Sequence, residues 1–67
     1  MIVLNGEPRE HGAGVAVVEL LRGLGLPEQG RGVAVAIDGE VVPRASWGTH
    51  AIPDGARVEV LTAMQGG

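Results

Sequence analysis

The chain has no cysteine, no lysine, no tyrosine and no phenylalanine. Without cysteine there are no disulfides and no thiol chemistry carried by the protein itself. A chain of 67 residues must then fold without covalent staples, which suits a reducing compartment. With Trp47 as the only aromatic residue, stacking platforms for bases are missing. The five arginines form no basic stripe in a chain of net charge −3, so nucleic acid is not an expected partner. Long apolar runs are missing too. The opening MIVLNGEP holds one three-residue run, far below a signal-peptide core or a membrane span. A cytoplasmic protein that makes no use of a membrane is expected. The lack of lysine removes any internal side-chain amine able to attack an activated carboxyl group. Its ordinary explanation is GC-rich coding, which swaps lysine for arginine and enriches alanine, glycine and valine.

What is present makes one domain, residues 1–67. A chain this short buries only about 60% of the surface that its unfolded form exposes. A deep catalytic cleft is therefore not expected; work at a surface or a terminus is.

Local patterns predict the elements in order. IVL followed by Asn5-Gly6 reads as a strand entering a two-residue hairpin turn, with residues 7–11 returning as a second strand. Pro8 lacks an amide hydrogen, which places that strand at an edge. Val17, Leu20, Leu21 and Leu24 fall at i, i+3, i+4 and i+7, one stripe of a helix, with Glu19 and Arg22 facing outward. Gly25 stands where a left-handed cap ends a helix, and Pro27 prevents its resumption. Ala16 occupies the N-cap, where serine or threonine would add roughly 1 kcal/mol. The preceding GAG lacks the GK[ST] ending of a phosphate loop.

GVAVAI alternates Val33, Val35 and Ile37 against Ala34 and Ala36. Asp38-Gly39 is a second hairpin signal with EVVP returning, and PRASWGTHAIPDGA reads as irregular up to a tight turn at Pro53-Asp54-Gly55. RVEVLTA is the last strand, with Val58 and Val60 inward and Arg57, Glu59, Leu61 and Ala63 outward. The order ββαβββ describes an α+β fold, one helix packed across a mixed sheet. The last strand has the clearest alternation and is expected in mid-sheet beside the first, so the chain's end projects from the body.

With these elements in place, the sequence resembles a β-grasp, ubiquitin-like domain, and more narrowly the ThiS family of sulfur carriers in thiamine biosynthesis. The likeness covers essentially the whole chain. It rests on IVLNGE, on VAVAIDGEVVPRASW, and on DGARVEVLTAMQGG with its terminal Gly66-Gly67. Ala16 stands where the family usually has threonine or serine, and Ala56 where it has aspartate. Both positions bear on stability and not on the proposed chemistry.

The resemblance implies that the Gly67 carboxylate is adenylated by a partner enzyme using ATP and then converted to a thiocarboxylate. It further implies a sulfur source such as a cysteine desulfurase, and thiazole synthase as the acceptor. The chain would be a co-substrate and not an enzyme, with no intrinsic cofactor. Such a tail must be narrow, pliable and free of competing charge. Gly66 and Gly67 remove every Cβ, glycine reaches positive φ at no steric cost, and no side chain from Leu61 through Gln65 is ionised.

Fixing the tail in a partner costs about 1–2 kcal/mol per residue, so a docking surface elsewhere must offset it. Leu61, with Ala34 and Ala36 on the same face, is the candidate for that surface, against the alternative that Leu61 packs at an inner or boundary position. Other readings are a carrier of another pathway, like the small subunit of molybdopterin synthase or a carrier for amino-acid or tRNA sulfur, and a ubiquitin-like modifier or binding module.

Outside the tail, little points to chemistry. His11 and His50 stand apart from any partner at ligand spacing, so no metal site is expected. Trp47 reads as a core plug with its indole edge near the surface. Arg44 reads as pairing with a nearby acid more readily than as a contact for a partner. Asp38, Glu40 and Asp54 belong to turns, where acidic residues serve the backbone.

Overall fold

The computed structural model describes residues 1–10, 12–26 and 31–63. β1 (Ile2–Leu4) and β2 (Glu7–Arg9) form a hairpin in which Leu4 faces Glu7 and Val3 faces Pro8. The turn between them is left-handed at both residues, with φ 50° at Asn5 and 86° at Gly6, the geometry that an Asn-Gly pair favours. β2 stops at Arg9 and not at residue 11, and it lies at the sheet's edge, where the missing amide of Pro8 costs no ladder bond.

α1 (Val17–Gly23) buries Val17, Leu20 and Leu21, the predicted stripe, with Leu24 packed partly against the core. Glu19 and Arg22 stand outside, paired at 2.7 Å. The helix ends at the predicted glycine, while Pro27 lies outside the described residues. Gly25 takes φ 78°, the Leu26 N–H returns to the Leu21 carbonyl at 3.0 Å, and the Gly25 N–H returns to Arg22 at 3.1 Å. This double closure is typical of a glycine-terminated helix.

The helix start is more informative. Ala16 supplies no side-chain cap. Instead the N–H groups of Val17 and Val18 donate to the carbonyls of His50 and Trp47, both at 3.0 Å. The missing cap is thus replaced by backbone from a segment more than thirty residues on in sequence.

β3 (Val33–Ile37) and β4 (Glu40–Val41) form the second hairpin, with Asp38 and Gly39 at φ 51° and 86°. The return strand is shorter than EVVP, although the Val42 N–H still reaches the Val35 carbonyl at 2.8 Å. β5 (Arg57–Thr62) is the last strand among the described residues. The sheet order is β2-β1-β5-β3-β4, so the last strand is central, parallel to β1 and antiparallel to β3.

Residues 43–56, read as irregular, hold a 3-10 turn (Arg44–Ser46) and a short pairing of 14–17 with 50–52. Two core residues come from this stretch without having been anticipated: Ile52, 0% exposed, and Ala56, 3% exposed. Trp47 also differs from expectation. It is a core plug, but its indole edge is not near the surface: the residue is 2% exposed, and Nε1–H donates to the Val42 carbonyl at 2.9 Å. An indole N–H removed from water needs an acceptor, and the carbonyl just beyond β4 supplies one.

At the tight turn, the Ala56 N–H bonds the Pro53 carbonyl at 3.1 Å with Gly55 at φ 84°. The α-amino group of Met1 bonds the exposed Asp54 carboxylate. That hydrogen bond, and the charge behind it, hold Asp54 below the usual carboxylate range. The core thus lies between α1 and one face of the sheet, built from Ile2, Val35, Ile37, Val58 and Val60 under Leu20 and Leu21. No helix among the described residues is long and apolar enough to cross a membrane.

Candidate docking face and carboxyl end

Because β5 alternates, its second face is turned away from the helix. Val58 and Val60 are buried while Arg57, Glu59 and Leu61 are exposed. Paired residues in an antiparallel ladder share a face, and the register places Leu61 opposite Ala34, Glu59 opposite Ala36, and Ala36 opposite Val41.

The three candidate docking residues therefore lie on one face. Leu61 is 67% exposed and not in a boundary position, its partner Ala34 is exposed, and Ala36 is half-buried. Val41 belongs to this face at 71% exposure and was not singled out from the sequence. Its signal was present in the alternation of EVV after the Asp38-Gly39 turn, once the register against Ala36 is known.

A shallow hollow of about 350 Å³ lies at the end of β5, lined by Gly32, Val33, Ala34, Leu61, Thr62 and Ala63. A larger one of about 490 Å³, lined in part by Val3, Asp38 and Arg57, lies at the start of β5. The hollow at the strand's end reaches as far as Ala63 and is bordered by apolar and small side chains. Glu59 is the nearest ionisable residue along β5, two positions before Leu61.

Two attachments, one backbone and one side-chain, hold the exit of β5. Gly32, at φ 68°, accepts the Ala63 N–H through its carbonyl at 2.6 Å. On the opposite edge, the Asn5 side chain accepts from the Val60 N–H at 2.8 Å and donates to the Val60 carbonyl at 3.1 Å. Sequence reasoning assigned Asn5 to its turn alone. Gln65, Gly66 and Gly67, the proposed tail, lie outside the described residues, as does His11. His50 is exposed, and its carbonyl serves the helix start. Arg44 lies exposed at the beginning of the 3-10 turn. Among the described residues, no three His, Cys, Asp or Glu side chains come together as a metal site would require.

Comparison with known proteins agrees with this geometry. The ThiS family model matches residues 2–67. The chain is 33% identical over 66 residues to the sulfur carrier protein ThiS of Escherichia coli K12, covering 98% of this chain and 97% of that one. It is 38% identical over 66 residues to a thiazole synthase of Paramagnetospirillum magneticum, of which it spans 20%. Among solved structures, the crystal structure of the thiamine biosynthesis protein ThiS from Geobacter metallireducens superposes with a TM-score of 0.75 at 32% identity, covering 98% of this chain and 97% of that one. A solution structure of a thiamine biosynthesis protein from the same organism gives a TM-score of 0.78 at 34% identity, over 98% and 86% of the two chains. Strand order, helix placement and a likeness running from the second residue to the last agree: this β-grasp chain belongs to the ThiS family.

Proposed function

We propose that this chain carries sulfur for assembly of the thiazole ring of thiamine, as a co-substrate working in the cytoplasm. The observation that carries this reading is the end-to-end family match, which includes Gly67, on a fold whose last strand is central. A carboxylate is a poor electrophile, because its charge repels nucleophiles and its oxide leaves badly. In the proposed reaction the Gly67 carboxylate oxygen attacks the α-phosphorus of ATP and pyrophosphate departs. Hydrosulfide, released when a thiol reductant cleaves the persulfide of a cysteine desulfurase, then attacks the acyl carbon. The C–O bond to the phosphate breaks, AMP leaves with its electron pair, and a thiocarboxylate remains. Thiazole synthase receives the sulfur.

The adenylating enzyme supplies the site and the ATP; this chain supplies the acid and a surface to hold. Leu61, Ala34 and Ala36, joined by Val41, form that surface. A chain end without ionised side chains from Leu61 onward leaves the Gly67 carboxylate as the single charge presented. The test is intact mass after incubation with ATP, adenylating enzyme and sulfide. The chain should gain the mass difference between sulfur and oxygen, and a chain lacking Gly67 should gain nothing. Isopeptide adducts on other proteins in place of that gain would overturn the reading in favour of a modifier.

A further inference from the structure

The hydrogen-bond ladder shows which way each backbone rung of β5 points. The Val3 N–H donates to the Ala56 carbonyl and the Asn5 N–H to the Val58 carbonyl, both at 2.9 Å, so even-numbered residues face β1. The Arg57 carbonyl accepts from Asp38 at 2.8 Å and the Ala63 N–H donates to Gly32 at 2.6 Å, so odd-numbered residues face β3. Strand alternation requires this division. β1 ends at Leu4, and the Asn5 amide fills the next rung by taking both polar groups of Val60. The rung after that is Thr62. Its N–H and C=O point past the Asn5-Gly6 turn, and no strand of the described residues stands across it. A central strand thus becomes an open edge at its last residue, next to the hollow bounded by Leu61 and Ala34.

We propose that this edge, opening at Thr62, receives an extended backbone segment of the adenylating enzyme, added as a strand beside β5. The inference rests on the carrier reading above and adds the means of capture. Gly66 and Gly67 offer no side chain, so a partner gripping the chain's end must use backbone N–H and C=O groups. Strand addition supplies such contacts in series, with side-chain pockets providing specificity. The apolar pair Leu61 and Ala34 continues the contact from the edge onto the face. A second copy fits less well. In an antiparallel pair of copies each Asn5-Gly6 turn would stand beside the other's β5, leaving them at most the Thr62 rung to share. Each copy also carries a net charge of −3, and like charge opposes self-association.

Thr62→Pro isolates the edge. Val33 and Thr62 exchange no hydrogen bonds across β3, so proline there removes only the donor facing β1, a place where strands accept proline. Thr62→Val keeps that donor. Thr62→Pro should weaken binding to the adenylating enzyme about tenfold, a factor of the size one lost hydrogen bond gives. Thr62→Val should change it less than about twofold, with both variants unfolding at the wild-type temperature. In the unmodified chain, hydrogen exchange at the Thr62 amide should slow when the enzyme is added.

Equal binding by a folded Thr62→Pro chain overturns the inference, as does a Thr62 amide whose exchange the enzyme leaves unchanged. Protection that instead grows with the chain's own concentration also overturns it, assigning the edge to a second copy. Sulfur loading is scored in the same reactions. A chain that loads with an unprotected Thr62 amide sinks the edge alone, whereas one that neither binds nor loads sinks the carrier reading with it.

Discussion

Asn5 and Val60, fifty-five positions apart, hold each other by two hydrogen bonds, one in each direction between a side-chain amide and a backbone rung. The amide stands where another residue of β1 would stand if the chain had not turned at Asn5, whose φ is 50°. One residue therefore makes the turn and also extends the sheet towards the chain's end. Asn5→Ala should lose about 1–3 kcal/mol in urea unfolding, from the lost bonds and the strain of a positive φ. Asn5→Gly tolerates the backbone and should lose less. Wild-type stability in the alanine variant would remove Asn5 from this role.

Leu61→Asp should leave the fold intact, since the residue is 67% exposed and faces away from the core. Desolvating a carboxylate against an apolar partner surface is costly, so binding to the adenylating enzyme should weaken at least about tenfold. Titration calorimetry on a variant with a wild-type melting curve decides the matter. Unchanged affinity would move the docking surface elsewhere.

Trp47→Phe keeps a ring in the core but leaves the buried Val42 carbonyl without its donor. An orphaned buried acceptor costs about 1–3 kcal/mol. Calorimetric unfolding should show a loss in that range; a loss below about 0.5 kcal/mol would mean that the carbonyl finds another partner.

Ala16→Ser tests the helix start. A serine at an N-cap normally contributes about 1 kcal/mol by accepting from N–H groups in the first turn. Here the first two already donate to His50 and Trp47, and the Glu19 N–H donates to the Ala16 carbonyl at 2.9 Å. The gain should therefore be below about 0.5 kcal/mol. A full gain on denaturant unfolding would show that those tertiary bonds are weak.

Asp54 sets an expectation for acid. Its carboxyl is held below the ordinary range by the hydrogen bond and charge of the α-amino group. A carboxyl depressed in the folded state contributes stability that is present above its unfolded value and lost as pH falls through its folded value. Asp54→Asn should therefore flatten the acid limb of a melting-temperature profile below about pH 4 and leave the neutral region nearly level. Because Asp54 is exposed, added salt should shrink the difference. An acid limb identical to wild type would remove the pair from the account.

The sequence by itself determined the elements and their kind. Alternation in VAVAI and RVEVLT, the Val17–Leu24 stripe, and the Asn5-Gly6, Asp38-Gly39 and Gly25 turn signals are local instructions carried by neighbouring residues. They sufficed for the ββαβββ order and a central last strand, and the terminal Gly-Gly with its flanking motifs sufficed for the family. What tertiary structure decided lies in contacts between distant positions. Ile52 is a core residue because residues 50–52 pair with 14–17, and no periodicity marks a single isoleucine in a loop. Trp47 and Val42 satisfy each other because the chain folds back over the core. The Asn5 amide reaches Val60, and Val41 joins Leu61, Ala34 and Ala36, only after the strands take their register. Propensity acts over a few residues, whereas the pairing of polar groups and the composition of a sheet face depend on which strands become neighbours.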